Sequence, residues 1–258
     1  TPGFWTLFTK DDQYSREKLT ADLQNIRSYY VNQGYVLFNI ESTQVSISAD
    51  KTKVFITINL SEGDQFDVGE ISIAGQYEVD ESLIWDLIDT PSGQVFSKQY
   101  FVETAANVRQ LFGDKGFAFA DVQAVPLVNE IKNTVDVQYQ IRSGKRTYVR
   151  RIDFKGNTRT SDDVLRREMR QLEGSVASMA DINASKLRLQ RLGFFNSVVV
   201  DTTQVVGTDD QLDVEFDVEE GLTADWSVMV GYSDAGGAFY GASVNQNNFL
   251  GTGNKMEA

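Results

Sequence analysis

The chain has 258 residues, a length that predicts about two domains at roughly 150 residues per domain. Its composition, 41% hydrophobic and 24% charged, is typical of a globular protein and excludes a disordered one. The sequence has no histidine and no cysteine, which excludes Ser-His-Asp and Cys-His catalysis, thiol redox chemistry and imidazole or thiolate metal sites. The net charge of −13 argues against nucleic acid as a partner, because phosphate binding needs clustered cations.

A helical pattern recurs three times along the chain, at intervals of about eighty residues. In the first two copies, apolar residues at spacings of 4, 3 and 4 predict one face of an amphipathic helix, and a glycine-aromatic pair follows the helical pattern in all three copies. The faces are Leu19, Leu23, Ile26 and Tyr30, then Phe101, Ala105, Val108 and Phe112, then the looser set Ile182, Ser185, Leu189 and Leu192. The pairs are Gly34-Tyr35, Gly116-Phe117 and Gly193-Phe194.

Each of these helices is followed by a segment that alternates with period two and ends at a glycine. Alternation of this kind predicts a half-buried strand. The alternating residues are Val54, Ile56, Ile58 and Leu60, then Val135, Val137, Tyr139 and Ile141, then Leu212, Val214, Phe216 and Val218. The glycines that end the segments are Gly63, Gly144 and Gly221.

The second and third repeats each open with a further strand and a first helix. Residues 71–75 parallel residues 152–156, and capping residues follow both strands. The first helices are predicted from Leu83, Ile84, Leu87 and Ile88 after Asp80, and from Val164, Leu165, Met169 and Leu172 after Thr160 or Ser161.

The repeat unit is therefore strand-helix-helix-strand-strand, an α+β domain with two helices on a three-stranded mixed sheet. We predict complete repeats at 66–145 and 146–221. A partial repeat at 1–65 is expected to lack the opening strand and first helix, so that the chain begins inside a domain. Residues 222–258 form a separate segment.

Residues 222–258 contain a predicted hairpin. Trp226, Val228, Val230 and Tyr232 alternate, residues 234–237 provide a turn, and residues 238–244 alternate again. Two interpretations fit this pattern equally well: the first strands of a transmembrane barrel wall, or an ordinary soluble hairpin.

Three other features could carry function. Adjacent carboxylates such as Asp162 and Asp163 could serve an enzyme, although helix capping explains this pair. Ten of the 24 basic residues lie between 142 and 170, which predicts either a solvated face or a docking surface for an acidic partner or anionic headgroups. Residues 45–48 form either a core strand or a sheet edge that could accept an extended peptide.

The repeat pattern resembles the POTRA domains of the Omp85 family of outer-membrane proteins. Five strings carry this resemblance: Arg-Ser-Tyr-Tyr at 27–30, Tyr-Val-Arg-Arg-Ile at 148–152, Leu-Arg-Arg-Glu-Met-Arg-Gln at 165–171, Arg-Leu-Gly-Phe-Phe at 191–195 and Phe-Leu-Gly-Thr-Gly at 249–253. The resemblance implies a partial third, a fourth and a fifth POTRA domain followed by the start of the barrel.

The resemblance also implies a function and its residues. The chain would be the periplasmic scaffold of an outer-membrane protein insertase in a Gram-negative bacterium, without catalysis, cofactor or nucleic acid. It would bind unfolded outer-membrane proteins and, through the barrel, outer-membrane lipid. Val45 and Ile47 would contact a BamB-like lipoprotein, and Glu173 at the end of a helix, with Arg166, a BamD-like lipoprotein. The strand Trp226, Val228, Val230 and Tyr232 would form the lateral gate.

Two other functions compete with this one. A related Omp85 or two-partner secretion pore would share the repeats but translocate proteins. A carboxylate-dependent hydrolase would instead contain a pocket in which acidic side chains converge.

Overall fold

A computed structural model describes residues 16–48, 54–88, 93–222, 224–233 and 237–257. The chain forms two compact units. The first comprises Thr1–Gly75, Ser82–Asn107 and Val122–Ile141, and the second comprises Gln76–Glu81, Val108–Asp121 and Arg142–Ala258. The boundary between the units runs through the middle repeat, so the predicted domain limits stay a prediction.

The first repeat contains helix α1 (Arg16–Asn32) and strands β1 (Asn39–Ile47) and β2 (Val54–Ser61). The four predicted apolar positions of α1 are half-buried. Strands β1 and β2 pair antiparallel, with Val45 opposite Ile56 and Ile47 opposite Val54. The opening strand and first helix, which we expected this repeat to lack, would fall outside the described residues.

The middle repeat has all five predicted elements: β3 (Asp67–Gln76), α2 (Glu81–Trp85), α3 (Lys98–Asp114), β4 (Asp121–Asn129) and β5 (Thr134–Arg142). The sheet order is β3-β5-β4, which places the predicted alternating strand at the centre. All four predicted apolar residues of α3 and all four of β5 are buried. The predicted core of this repeat is confirmed.

The third repeat follows the same plan with β6 (Tyr148–Lys155), α4 (Asp162–Arg166), α5 (Met179–Arg191), β7 (Phe195–Gln204) and β8 (Gln211–Glu220). The order is β6-β8-β7, with β6 parallel and β7 antiparallel to β8, so the sheet is mixed as predicted. The alternating residues of β8 pack in one core with Leu165, Ile182 and Leu189.

The first helix of each complete repeat is shorter than predicted. Helix α2 ends at Trp85 and helix α4 at Arg166, and each is one turn or slightly more. Leu172, which was assigned to the apolar face of α4, is exposed. The prediction was wrong because the turn after α4 changes direction before residue 172 is reached.

Two glycines are required by close approach of backbone to backbone. Gly75 follows the apolar part of β3 and Gly156 follows β6, and both have positive φ, 127° and 82°. A Cβ atom at Gly75 would overlap the carbonyl oxygen of Ile141, and one at Gly156 would overlap that of Val218. The two complete repeats therefore share a glycine whose role is steric.

Residues 224–257 form a three-stranded antiparallel sheet in the order β11-β10-β9. Its strands are β9 (Ala224–Ser233), β10 (Gly237–Phe249) and β11 (Asn254–Glu257). The predicted hairpin is confirmed as a strand pair in which Tyr232 lies opposite Ala238, although residues 234–236 of its turn are outside the described residues. Strand β11 was not predicted. No described helix has the length and apolarity needed to cross a bilayer.

Candidate functional site

The outer edge of β6 is covered by the loop that joins α4 to α5. Gly174 N–H donates to the carbonyl of Val149 at 2.7 Å, and Val149 N–H donates to the carbonyl of Ser175 at 3.0 Å. Tyr148 and Val176 form an antiparallel bridge beside them. We call residues 166–178 the edge segment, because they line this side of the sheet.

Beyond this backbone pairing, two side chains of the edge segment cover the next position of β6. Glu173 Oε1 accepts a hydrogen bond from Ile152 N–H at 2.7 Å, and Arg166 Nη2 donates to the Ile152 carbonyl at 3.2 Å. Arg166 and Glu173 also form an ion pair at 3.3 Å. One carboxylate and one guanidinium thus occupy the two hydrogen-bonding groups that a neighbouring strand would use.

Local contacts hold both side chains in place. The hydrogen bond from Ile152 N–H, followed by the bond from Arg166, holds the pKa of Glu173 below its ordinary value. The guanidinium of Arg166 lies over the ring of Phe154, 5.3 Å from its centroid. Side-chain exposure is 47% for Arg166 and 44% for Glu173, so a partner in solution can reach both charges.

This geometry corrects one expectation about Glu173. The residue was expected at a helix end, with a charge that contributes little to stability. Helix α4 ends at Arg166, and Glu173 lies in a turn seven residues later, where it satisfies a backbone N–H of the sheet. The structure does bring the two predicted residues, Arg166 and Glu173, together.

Gln171, to which sequence periodicity assigns no role, holds the edge segment together. Its side chain is 2% exposed. The amide nitrogen donates to Ser175 Oγ at 2.7 Å and to the Val176 carbonyl at 3.0 Å, and the amide oxygen accepts from Ser178 N–H at 2.8 Å. A buried glutamine with its bonds satisfied rigidifies the loop that carries Glu173.

Ser185 is the polar residue on the predicted apolar face of α5, and its hydroxyl makes hydrogen bonds to backbone groups. It is fully buried, donates to the carbonyl of Asp181 and accepts from Arg170 N–H at 2.8 Å. A few residues away, Arg188 of α5 contacts Glu168 at 3.0 Å. Helix α5 therefore anchors the edge segment through polar groups, which a search for apolar periodicity cannot find.

The basic stretch 142–170 is largely paired with acidic side chains. Lys145 contacts Asp209 at 2.6 Å, Lys155 contacts Glu215 at 2.7 Å, and Arg150 contacts Asp213. The further pairs are Arg142 with Asp121, Arg151 with Asp153 and Asp213, Arg166 with Glu173, and Arg167 with Glu168. This pattern favours a solvated, charge-balanced face, and docking on it stays a prediction.

The other predicted partner residues lie on strands. Val45 of β1 is 53% exposed, whereas the side chain of Ile47 is outside the described part of the structure. On β9, Val228, Val230 and Tyr232 are between 63% and 78% exposed, and the side chain of Trp226 is likewise not described. Their proposed contacts stay predictions.

A small pocket of about 270 Å³ lies beside the end of β8. Glu220 is its acidic residue, and the carboxylate accepts bonds from Thr158 Oγ1 at 2.9 Å, Arg159 N–H at 3.0 Å and Thr160 N–H at 2.8 Å. Burial alone would raise the pKa of Glu220, but these bonds hold it below its ordinary value. The carboxylate is engaged in structure, so this pocket lacks the converging acids of a hydrolase.

The fold and the edge geometry define a class: tandem α+β repeats whose helices cover one face of a small mixed sheet. A family model described as POTRA, surface antigen variable number repeat, matches residues 5–63, 66–144 and 147–221. The chain belongs to the POTRA family.

Relatives agree with this assignment. The outer membrane protein assembly factor BamA of Neisseria meningitidis serogroup B is 32% identical over 252 residues, or 97% of this chain. A crystal structure of Haemophilus influenzae BamA POTRA3-5 is 31% identical with a TM-score of 0.70, covering 81% of this chain and 83% of that one. BamA from Haemophilus ducreyi lacking POTRA domains 1-3 is 35% identical with a TM-score of 0.65, covering 74% and 36%.

The chain spans about a third of the length of its curated relatives, 32% of the Neisseria protein and 41% of BamA from Buchnera aphidicola.

Proposed function

We propose that this chain is a periplasmic scaffold of an outer-membrane protein insertase and that it acts by binding alone. Two things support the proposal: membership of the POTRA family and the name that its relatives carry, outer membrane protein assembly factor. Binding would use extended segments of unfolded outer-membrane proteins at sheet edges and accessory lipoproteins at charged surfaces. No covalent step is needed.

The open edges favour strand addition at particular places. In the third repeat β7 is the edge strand opposite β6, and in the middle repeat β4 is the edge strand opposite β3. Strand β1 has the same position in the first repeat, with Val45 half-exposed on it. We propose β1, through Val45 and Ile47, as the contact for a BamB-like lipoprotein.

We propose Arg166 and Glu173 as the contact for a BamD-like lipoprotein. Both charges are half-exposed, and both are held by bonds to Ile152, so a partner meets them already oriented. Preorganised charges lose little side-chain entropy on binding. They also steer association and fix the register of a complex.

The segment 222–258 is proposed as the start of the outer-membrane barrel, with β9 as the lateral-gate strand that contacts lipid and incoming strands. Val228, Val230 and Tyr232 on one face of β9 are exposed, and so is Met229 on the other face, so the strand offers apolar surface to lipid or to an incoming strand. The related secretion pore would use the same repeats, and capture of lipoproteins distinguishes the insertase from it.

One substitution series tests the Glu173 contact. Glu173→Gln keeps an oxygen acceptor for Ile152 N–H and removes the charge, so affinity for a BamD-like lipoprotein should fall by about tenfold. Its melting temperature should fall only slightly at neutral pH, because the favourable charge is lost while the bond to Ile152 is kept. Glu173→Lys also removes the acceptor and should lower both affinity and melting temperature. The matched control is Glu219→Gln, an exposed change on β8.

The two variants separate binding from folding. If Glu173→Gln binds like the parent chain and only Glu173→Lys fails, the loss reflects the broken bond to Ile152, and Glu173 is not a partner contact.

A further inference from the structure

The last two residues of β10 and the loop that follows them, residues 248–253, contact the third repeat through buried polar groups; we call this segment the tail loop. Asn248 is 6% exposed and its Nδ2 donates to Thr160 Oγ1 at 2.8 Å, while Thr160 is 3% exposed. Asn248 Oδ1 accepts from Gly253 N–H at 2.8 Å. One buried asparagine thus closes the tail loop and binds it to a residue 88 positions earlier.

The tail loop binds the residue at which helix α4 begins. The N-cap residue of α4, Ser161, makes no side-chain capping bond. Its backbone N–H instead donates to the carbonyl of Gly251 at 3.0 Å. Gly251 has φ of 74°, and a Cβ atom there would overlap the carbonyl oxygen of Arg159, so the loop lies directly on the backbone before the helix.

Helix α4 connects this contact to the edge segment. It has only five residues, of which Val164 and Leu165 are buried. A Cβ atom at Gly253 would lie 3.0 Å from Val164 Cγ1, which places the tail loop against the helix side chains as well. The last residue of the helix is Arg166, whose guanidinium binds the Ile152 carbonyl and Glu173. A helix this short has little stability of its own and takes its position from its contacts.

We propose that the tail loop is a latch that positions α4 and thereby sets the Arg166–Glu173 cover of the β6 edge. When the latch is engaged, Arg166 is held over Ile152 and the edge is closed. When the tail loop is displaced, α4 loses the bond between Ser161 N–H and the Gly251 carbonyl, and Arg166 and Glu173 move away from Ile152. The sheet that follows the third repeat is therefore coupled to the charged surface on that repeat. The coupling lies within this chain, and only its consequence for lipoprotein docking rests on the proposed function.

Amide hydrogen exchange on the whole chain tests the latch at single residues. The variants are Asn248→Ala, which removes the buried amide, and Thr160→Val, which removes the other partner of the same bond and leaves the tail loop unchanged. The control is Asn254→Ala, an exposed asparagine on β11. The reporters are the amides of Ser161, at the latch, and Ile152, at the edge, with Val214 in central β8 as the measure of global opening.

In both latch variants, amide exchange at Ser161 and at Ile152 should be about tenfold faster, and exchange at Val214 should be unchanged. In the control Asn254→Ala, all three exchange rates should equal those of the parent chain. Faster exchange at Ser161 without a change at Ile152 would show a cap without coupling. No change at either amide would show that the loop does not hold the helix. Equal acceleration at all three amides would show global destabilisation, and each of these results overturns the proposal. Because no partner is present, failure here is distinct from failure of lipoprotein binding.

Discussion

The middle and third repeats cover their first strand with the same backbone pattern but different side chains. In the middle repeat Val68 N–H donates to the carbonyl of Gln94 at 2.7 Å, and Gly93 N–H donates to the carbonyl of Val68 at 3.1 Å. In the third repeat Val149 N–H likewise donates to the carbonyl of Ser175, and Gly174 N–H donates to the carbonyl of Val149. A shared backbone pattern is a property of the fold. It does not identify a function.

The side chains at equivalent positions differ in chemistry. Arg166 and Glu173 of the third repeat correspond in sequence to Trp85 and Ser92 of the middle repeat. Glu220, which accepts the backbone N–H groups of Arg159 and Thr160, corresponds to Ser143, whose backbone N–H donates to the Gln76 carbonyl at 3.2 Å. At these positions the third repeat has charged side chains bound to its own backbone, which supports the proposal that it is the docking repeat.

Substitution of the shared glycine should have the largest effect, and the same effect in both repeats. Gly156→Ala and Gly75→Ala each introduce a Cβ atom that overlaps a carbonyl oxygen, at positive φ. We expect a loss of about 3 kcal/mol or more in the free energy of unfolding. Gly144→Ala, at φ of 69° with open space around it, should cost only about 1 kcal/mol. Urea denaturation of the three variants tests this, and equal costs would contradict the steric argument.

Removal of the buried glutamine should have the next largest effect, confined to the third repeat. Gln171→Leu leaves Ser178 N–H and the Val176 carbonyl without their partner, which should cost about 2–3 kcal/mol. Gln190→Leu, on the exposed face of α5, is the control and should be nearly neutral. Denaturation followed by exchange at the edge segment reports the loss, and a neutral Gln171→Leu would show that the network does not hold the loop.

Acid should weaken the third repeat through its bound carboxylates. The pKa values of Glu173, Glu220 and Asp213 are lowered in the folded state. The ionised carboxylates therefore stabilise the folded state fully above the ordinary carboxylate pKa, and this stabilisation is lost as the pH falls through the lowered pKa values. Glu220→Gln should cost about 1–2 kcal/mol near neutral pH. Its melting temperature should converge with that of the parent chain as the pH falls through the lowered pKa of Glu220, because protonated Glu220 is also uncharged. A gap that stays constant with pH would contradict this account.

The smallest stability effect is expected in the first repeat. Val45→Asp changes a half-exposed side chain of β1 and should shift the free energy of unfolding by less than about 1 kcal/mol while reducing capture of a BamB-like lipoprotein. Thr57→Asp on β2 serves as a control for added charge. A large drop in melting temperature for Val45→Asp would show that this strand is core.

Periodicity predicted the cores because burial follows the period of the element. The residues of α3, β5 and β8 were identified from spacing alone, and all of them are buried. Three features could not be predicted from periodicity, and each has a physical reason. The length of α4 is decided by the turn after it, the role of Gln171 depends on bonds to loop backbone, and the contact between Asn248 and Thr160 joins residues far apart in sequence. Polar contacts of this kind have no period.

We propose that the third repeat docks its partner through Arg166 and Glu173. Titration of the isotope-labelled chain with a BamD-like lipoprotein, followed by amide NMR shifts, distinguishes this repeat from the middle one. We predict that the largest shifts lie at Ile152, Arg166 and Glu173, with little change at Ile71 and Trp85 of the middle repeat. Shifts centred on the middle repeat, or none at the edge segment despite binding, would contradict the claim.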